Sequence, residues 1–239
     1  MKSFLKKIRN FLRAMFYSGR DKFCPVCGRS FRRFLTQKEA GRRDAVCPYC
    51  NSLERHRFAW LFISRNTDVF NLKDKSFLHI APEDCFIPAF RRSLERGSYI
   101  TADLFDSRAD VKMDITNIEY PPGSFDALMC SHVLEHVEND HKALSEFYRV
   151  LKKGGWAILM VPVELEETFE DPTVTDPAKR KEIFGQEDHV RIYGHDFTDR
   201  VARAGFKTEI IRAGSFCTES EIVKMGLLKE EEIYYCRKE

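Results

Sequence analysis

The chain has 239 residues, of which 32% are charged, and a formal net charge of +2. This length suffices to bury a substantial core, and it allows one doubly wound domain with a small module beside it. No run of about eighteen apolar residues occurs, which excludes a membrane-spanning helix. The N-terminal segment lacks the apolar core and cleavage site of a secretory signal, so we expect a cytoplasmic protein whose cysteines are reduced.

Charge is distributed unevenly along the chain. Residues 1–66 contain sixteen Lys/Arg and four Asp/Glu, a formal excess of +12, whereas the remainder has 23 basic and 33 acidic residues, or −10. A cationic first third on an acidic body predicts an anionic partner. Nucleic acid, a phospholipid surface and a phosphorylated substrate all fit that description.

Residues 1–20 are predicted to form a basic amphipathic helix. Its apolar residues recur at helical spacing, and its cations lie off that face. The apolar face consists of Phe4, Leu5, Ile8, Phe11, Leu12, Met15 and Phe16, and the cations are Lys2, Lys6, Lys7, Arg9 and Arg13. Such a helix is either a cap packed on the protein or a helix that lies on a membrane surface.

Residues 21–52 carry two Cys-Pro-x-Cys sequences, which predict a zinc ribbon. Each pair aims two thiolates at one point, and two pairs complete a closed tetrahedral structural site with the ligands Cys24, Cys27, Cys47 and Cys50. Bound Zn²⁺ would contribute on the order of 10–16 kcal/mol to folding a segment too short for its own core. The other cysteines, at 85, 130, 217 and 236, are predicted to be buried as small hydrophobic residues.

A linker helix is expected within residues 53–74, between the ribbon and the next domain. Trp60, Leu61 and Ile63 give it an apolar side that can dock. His56 is predicted to be a surface or packing residue rather than a metal ligand.

Seven segments from residue 75 onward read as strands. They are residues 76–82, 98–104, 110–116, 125–130, 156–161, 206–212 and 232–237. A helix is expected between the fourth and fifth strands, closed by Lys152, Lys153, Gly154 and Gly155, and a late helix over residues 196–205. The strand–helix–strand unit predicts a mostly parallel sheet with ligands at the carboxyl ends of its strands, where residues 131–136 would lie.

Two sequences in this unit resemble a known family. FDALMCSHVLEHV (residues 125–137) and ALSEFYRVLKKGGWAILMVP (residues 143–162) are similar to the class I S-adenosylmethionine-dependent methyltransferases, in particular the type 11-like group. The resemblance implies an α/β, doubly wound, mostly parallel seven-stranded Rossmann-like sheet over residues 75–239. It also implies S-adenosylmethionine as the cofactor.

The resemblance assigns cofactor-binding residues at the strand ends. Asp103, with Leu104 beside it, would accept hydrogen bonds from the ribose hydroxyls. Asp114 and Ile115 would face the adenine, and Ser131 and His132 would flank the methionine moiety and the transferring methyl group.

The first loop departs from the family because it lacks the usual Gly-x-Gly turn. It contains His79, Ala81, Pro82 and Glu83 instead. Two explanations remain: a variant turn in which His79, Ala81 and Glu83 line the cofactor site, or a domain that has lost cofactor binding.

Substrate residues are expected in and near the polar insertion after residue 162. Its tail, QEDHVRIYGHDF, resembles the family's "HV-x-x-Y" segment. His136, Tyr193 and His195 are the substrate-side candidates. If the acceptor is a hydroxyl, His132 and His189 are the candidate catalytic bases.

Three functions fit the sequence. The first is a methyltransferase acting on a small molecule or a sugar or lipid-linked acceptor, which the N-terminal helix could hold near an anionic membrane surface. The second is an RNA methyltransferase that grips RNA with its zinc ribbon. The third is a noncatalytic zinc-binding adaptor with a degenerate cofactor pocket.

Overall fold

A computed structural model describes residues 2–38, 41–71 and 75–239. Its helices are α1 (Lys2–Phe16), α2 (Glu54–Asn66), α3 (Ile87–Ser93), α4 (Asp140–Val150), α5 (Pro177–Phe184), α6 (Phe197–Arg203), α7 (Ala213–Phe216) and α8 (Glu219–Met225). Its strands are β1 (Ser18–Cys24), β2 (Arg29–Phe31), β3 (Leu35–Gln37), β4 (Arg42–Val46), β5 (Phe77–Ile80), β6 (Tyr99–Asp103), β7 (Val111–Lys112), β8 (Phe125–Ser131), β9 (Leu151–Met160), β10 (Val163–Leu165), β11 (Phe169–Glu170), β12 (Arg191–Gly194), β13 (Lys207–Arg212) and β14 (Glu232–Arg237).

A seven-stranded sheet has the order β13-β14-β9-β8-β5-β6-β7. Neighbouring strands from β9 to β7 run parallel, and β14 is antiparallel to β9. The innermost strands are apolar because both of their faces are covered: β5 is buried throughout, and β8 is buried except at Asp126. The predicted doubly wound, mostly parallel Rossmann-like fold is confirmed.

Two predicted strands, the third and the fifth, differ most from the observed bounds. The third is only Val111–Lys112, because the chain turns at Asp114, whose Oδ1 accepts the Thr116 amide at 2.8 Å. The fifth begins at Leu151, so the prediction that residues 152–155 close the preceding helix is wrong. These residues lie in β9, where a Cβ on Gly155 would stand 2.9 Å from the Asp126 carbonyl oxygen.

The core of the sheet lies between its strands and the helices that cover them. Leu144 and Phe147 of α4 and Val201 of α6 are fully buried in it. This packing fixes β8 and β9, and with them the polar residues that follow β8.

Two compact units divide the chain. The cysteine unit comprises Met1–Leu72, Glu83–Leu94 and Ile211–Glu232, and the sheet unit comprises Lys73–Pro82, Glu95–Ile210 and Ile233–Glu239. Two segments of the predicted 75–239 domain therefore group with the N-terminal residues.

Arg57 explains how a distant segment joins the cysteine unit. Its fully buried guanidinium donates to the carbonyls of Ala45 and Ser52, both at 2.8 Å, and to those of Met225 and Gly226 at 2.5 and 2.7 Å. One cation thereby satisfies four carbonyl groups from three parts of the sequence.

The predicted N-terminal helix ends at Phe16, and β1 takes up residues 18–24. Arg13 of α1 donates to the Pro48 carbonyl at 2.7 Å and to the Asn51 side chain, and Ala14 is buried. The helix therefore packs on the rest of the cysteine unit through Arg13 and Ala14. Within the described residues, no helix has both the length and the apolar character needed to cross a bilayer.

Candidate functional site

Four cysteine thiols converge in the cysteine unit. The sulfur atoms of Cys24, Cys27, Cys47 and Cys50 all lie within 4.8 Å of one another. Cys24 Sγ is 3.6 Å from Cys50 Sγ, and Cys27 Sγ is 3.8 Å from Cys47 Sγ. A tetrahedral zinc ion with Zn–S bonds of about 2.3 Å sets its sulfurs about 3.8 Å apart, so the four thiols fit this ion.

The two cysteine pairs have the same backbone geometry. The Gly28 amide donates to the Cys24 carbonyl at 2.9 Å, and the Asn51 amide donates to the Cys47 carbonyl at 3.1 Å. Gly28 and Asn51 have positive φ values of 67° and 62°. Glycine and asparagine tolerate this conformation best, which explains their place after each pair.

Two arginines lie near this cysteine group. Burial lowers the pKa of Arg57, and the charges of Cys24, Glu54 and Cys47 only partly offset this. Burial and the nearby Arg9 lower the pKa of Arg13, and the charges of Cys47 and Cys50 only partly offset this. Four thiolates around Zn²⁺ carry a net charge of −2, which these two cations would balance.

Asp103 ends β6 with one carboxylate oxygen engaged. Its Oδ1 accepts the amides of Phe105 and Asp106 at 2.7 and 2.8 Å. These bonds hold the carboxylate at the strand end and do not use Oδ2. Leu104 beside it is 40% exposed.

The two residues predicted to face the adenine lie just beyond β7. Asp114 is exposed, and its Oδ1 accepts from the amide and hydroxyl of Thr116, both at 2.8 Å. Ile115 is buried. Both residues are in the sheet unit, as Asp103 is.

The glycine-free loop adopts a glycine-like conformation. Ala81 has φ of 45°, in the left-handed region, and its amide donates to the Ala102 carbonyl at 2.8 Å. The turn after β5 thus has the backbone conformation that glycine would favour, with alanine in place.

Two residues of this predicted loop site face elsewhere. His79 is fully buried, and its Nδ1 lies 2.8 Å from the Tyr99 hydroxyl, so the expectation that its side chain lines a cofactor site does not fit its placement. Glu83 belongs to the cysteine unit, where its Oε1 is 3.7 Å from Nε2 of His56. His56 is buried, as expected of a packing residue, and its Nδ1 accepts the Leu53 amide.

The end of β8 brings together Ser131, His132 and Glu135. The Ser131 hydroxyl is buried and has no hydrogen-bond partner among the described residues. His132 has φ of 54°, and its Nδ1 lies 3.2 Å from Oε1 of the buried Glu135. A buried unpaired hydroxyl is costly without a ligand, so Ser131 fits a residue that binds one.

His136 and His189 meet beside this turn. Their ring centroids are 4.7 Å apart, with the planes at 82°. Burial and the nearby His136 lower the pKa of His189. A lowered pKa favours the neutral imidazole, the form that a base or a metal ligand needs.

The last two substrate candidates differ in exposure. Tyr193 is fully buried, and its hydroxyl donates to Oδ2 of Asp140 at 2.8 Å. Burial and Asp140 raise the pKa of Tyr193 well above its usual range. The expectation that Tyr193 faces a substrate does not fit this placement, whereas His195 is exposed.

Sequence reasoning missed Glu135 and the ion pairs around Asp140. Glu135 and His136 lie in the helical turn Leu134–His136, which begins two residues after His132. Asp140 pairs with Arg200 at 3.1 Å, and Arg191 pairs with Glu170 at 2.8 Å. A cavity of about 290 Å³ borders these ion pairs, and none of the predicted cofactor or catalytic residues in the described part of the chain lines it.

Part of the chain is similar to a known methyltransferase family. Residues 86–159 match the family model described as a methyltransferase domain. An S-adenosylmethionine-dependent methyltransferase from Mesorhizobium loti has a TM-score of 0.51 at 14% identity, covering 75% of this chain and 98% of that one. A chain from the Haloferax volcanii complex that contains the Trm112 methyltransferase activator also has a TM-score of 0.51 at 14% identity, covering 77% and 90%.

No curated protein matches the chain. At these identities the solved structures show a shared fold. The strand order agrees with that shared fold, and the family match is confined to residues 86–159, less than half of the chain.

Proposed function

We propose that the protein is an S-adenosylmethionine-dependent methyltransferase that acts on a small-molecule, sugar or lipid-linked acceptor. One observation supports this proposal: polar groups that can bind a ligand lie at the carboxyl ends of central strands. Asp103 is the last residue of β6, and Ser131, whose hydroxyl has no hydrogen-bond partner among the described residues, is the last residue of β8. Parallel sheets of this type bind ligands at that edge.

The residues suit the needs of methyl transfer. S-adenosylmethionine supplies a methyl group on a positively charged sulfur, and transfer proceeds in line, so that positioning matters most. Asp103 would accept the ribose hydroxyls, and Ser131 would hydrogen-bond the amino-acid part of the cofactor.

His132 is the proposed base for a hydroxyl acceptor. Its Nδ1 faces the Glu135 carboxylate at 3.2 Å, so Nδ1 holds the proton and Nε2 presents a lone pair. Glu135 would also stabilise the cation that forms when Nε2 takes the acceptor's proton. The side chain of His132 is 28% exposed, which leaves it accessible to an acceptor.

We also propose a structural zinc ion on the four cysteines. The sulfur separations support it, and so do the two matched turns and the two adjacent arginines. A closed Cys₄ site has no open position, so its role is to fold the cysteine unit.

The exposed apolar face of α1 supports a membrane-surface role for this helix. Residues on this face are 41–68% exposed: Leu5, Ile8, Phe11, Leu12, Met15 and Phe16. The helix contacts the rest of the cysteine unit through Lys6, Arg13 and Ala14. An outward apolar stripe flanked by cations fits an anionic lipid surface, which would bring the enzyme to a lipid-linked acceptor.

Methyl transfer is tested with tritiated S-adenosylmethionine and three acceptor pools: a cellular lipid extract, a soluble metabolite extract and total RNA. We expect label in the lipid or metabolite pool and a slower rate in His132→Asn. Label in RNA alone would favour the RNA methyltransferase. No label in any pool, together with no cofactor binding, would favour the adaptor.

The membrane role is tested by sedimentation with phosphatidylglycerol-containing vesicles. Leu12→Ser with Phe16→Ser should abolish binding, because the apolar face is needed in addition to the charge. Val223→Ser is the matched control, since Val223 of α8 is 64% exposed elsewhere in the same unit. Tight, salt-sensitive RNA binding without vesicle binding would overturn this role.

A further inference from the structure

A second cluster of potential metal ligands lies in the sheet unit. Glu135, His136 and His189 each offer one ligand atom, and these atoms lie within 4.8 Å of one another. Ligands that share one ion stand about 3.0–3.4 Å apart at bond lengths of about 2.1 Å. Small side-chain rotations would therefore bring the three ligand atoms to the separations that one shared ion requires.

Glu135 has an unused carboxylate oxygen in a buried position. The residue is 1% exposed. Its Oε1 lies 3.2 Å from His132 Nδ1, whereas Oε2 has no hydrogen-bond partner in the part of the chain that the structure describes. Burying a carboxylate oxygen without a partner is unfavourable, and a cation at Oε2 would remove that cost.

In both histidines the partner of Nδ1 leaves Nε2 available for coordination. His189 Nδ1 is 3.2 Å from the Phe184 carbonyl, which can only accept, so Nδ1 carries the proton and Nε2 is free to coordinate. His136 Nδ1 lies 3.3 Å from a carboxylate oxygen of Asp188, with the same consequence. Histidines that bind metals are oriented in this way, by a carbonyl or carboxylate on the second ring nitrogen.

The two segments that carry these ligands are fixed to each other. The Val190 amide donates to the Glu135 carbonyl at 2.9 Å. Arg191 Nη1 donates to the carbonyls of Leu134 and Val137 at 2.8 and 2.5 Å. The protein therefore positions the three ligands before any ion binds.

We infer that Glu135, His136 and His189 form a second metal site, which binds a divalent transition-metal ion such as Zn²⁺. One carboxylate and two imidazoles are a common ligand set for such ions and leave coordination positions open. The His136 side chain is 32% exposed, so the site is open on one side.

An open metal position beside His132 also indicates the acceptor class, an inference that rests on the proposed function. The ion would bind an acceptor hydroxyl and lower its pKa, and His132, held by the other oxygen of Glu135, would take the proton. The acceptor would then be methylated on oxygen.

The test titrates Zn²⁺ into the full chain by calorimetry, without S-adenosylmethionine, after EDTA dialysis that leaves the closed cysteine site loaded. We expect one further equivalent to bind. Glu135→Gln and His189→Ala should each weaken that binding by at least about tenfold. His141→Ala is the control, because His141 is an exposed histidine outside the cluster.

Absence of a second equivalent in the wild-type chain would overturn the inference. So would a second equivalent that survives Glu135→Gln, His136→Ala and His189→Ala unchanged. The titration contains no cofactor, so failure here leaves cofactor binding to be judged separately. If metal binds but the acceptor is methylated on another atom, only the acceptor assignment fails.

Discussion

Two residues at the strand ends adopt backbone conformations that L-amino acids rarely take. Ala81 has φ of 45° and His132 has φ of 54°. Such conformations cost about 1–3 kcal/mol each and persist where the surrounding structure fixes them, often at functional sites. The Ala81 amide bonds to Ala102, and the His132 amide bonds to Met160.

Substitutions at Ala81 should separate backbone conformation from side-chain bulk. We expect Ala81→Val to lower the free energy of unfolding by roughly 2 kcal/mol, because a branched side chain is strained at positive φ. Ala81→Gly should leave stability equal or raise it by up to about 1 kcal/mol. Urea denaturation measures both, and equal destabilisation by the two substitutions would contradict the left-handed turn.

At the residue scale, the sequence predicted which residues lie at the sheet edge better than it predicted where their side chains point. Asp103 and Ser131 end apolar strands, so their position at the sheet edge could be predicted from spacing. His79 and Tyr193 could not be placed, since their orientation depends on buried partners, Tyr99 and Asp140, that are distant in sequence.

A partly buried ion-pair network joins β12 to the helices beside the candidate site. Arg200 on α6 contacts Asp140 at the start of α4, and Arg191 on β12 contacts Glu170 of β11. Arg200 also bonds Glu170 at 2.9 Å. Two carboxylates and two guanidiniums thus compensate one another where a single buried charge would be destabilising.

The network predicts a pH-dependent stability. Burial disfavours ionised Glu170, but hydrogen bonds from Arg200 and Arg191 outweigh it and lower its pKa to about 2. Because the folded pKa is below the unfolded value, this stabilisation is fully present above about pH 4.5 and is lost as pH falls toward 2.

Glu170→Gln should therefore lower the free energy of unfolding at pH 7 by roughly 1–2 kcal/mol. This figure is discounted for solvent screening because the side chain is 38% exposed. The difference from wild type should shrink between about pH 4.5 and the acid limit of folding. Denaturation at several pH values measures it. Glu138→Gln, at an 86% exposed position, is the control, and a pH-independent difference would contradict the ion-pair account.

Elements with strong patterns could be predicted, and those fixed by distant contacts could not. The apolar runs of β5 and β8 reveal buried strands directly. The early start of β9 could not be predicted, because Lys152 and Lys153 followed by glycines also fit a helix end. In the structure Gly154 adopts φ of 78° within the strand, and its amide donates to the backbone carbonyl of Lys238.

The whole molecule combines a cationic first third with an acidic remainder. The Cys₄ group and Arg57 lie inside the cysteine unit, whose segments are scattered along the sequence. The Cys₄ group could be predicted from the local spacing of its cysteines. The grouping of Ile211–Glu232 with the N-terminal residues could not, because it depends on carbonyls of Met225 and Gly226 that meet Arg57.

Metal analysis tests how the cysteine unit is held together. After EDTA dialysis we expect one zinc per chain in the wild type and almost none in Cys47→Ser, since a closed thiolate site exchanges slowly and needs all four ligands. Loss of about 10–16 kcal/mol of binding energy should unfold this unit. The Cys217→Ser variant should retain the zinc of the four-cysteine site, because Cys217 is a buried cysteine of the same unit that lies outside the cluster. Full zinc retention in Cys47→Ser would contradict this account.

Calorimetric titration of S-adenosylmethionine into the zinc-loaded chain tests the central claim most directly. We expect one equivalent to bind, with affinity at least about tenfold lower in Asp103→Asn, because a charge-assisted hydrogen bond contributes roughly 1.5–3 kcal/mol. Asp106→Asn, three residues further along, should bind as the wild type does. No binding heat in the wild-type chain, or equal weakening by both substitutions, would contradict a cofactor site built on Asp103.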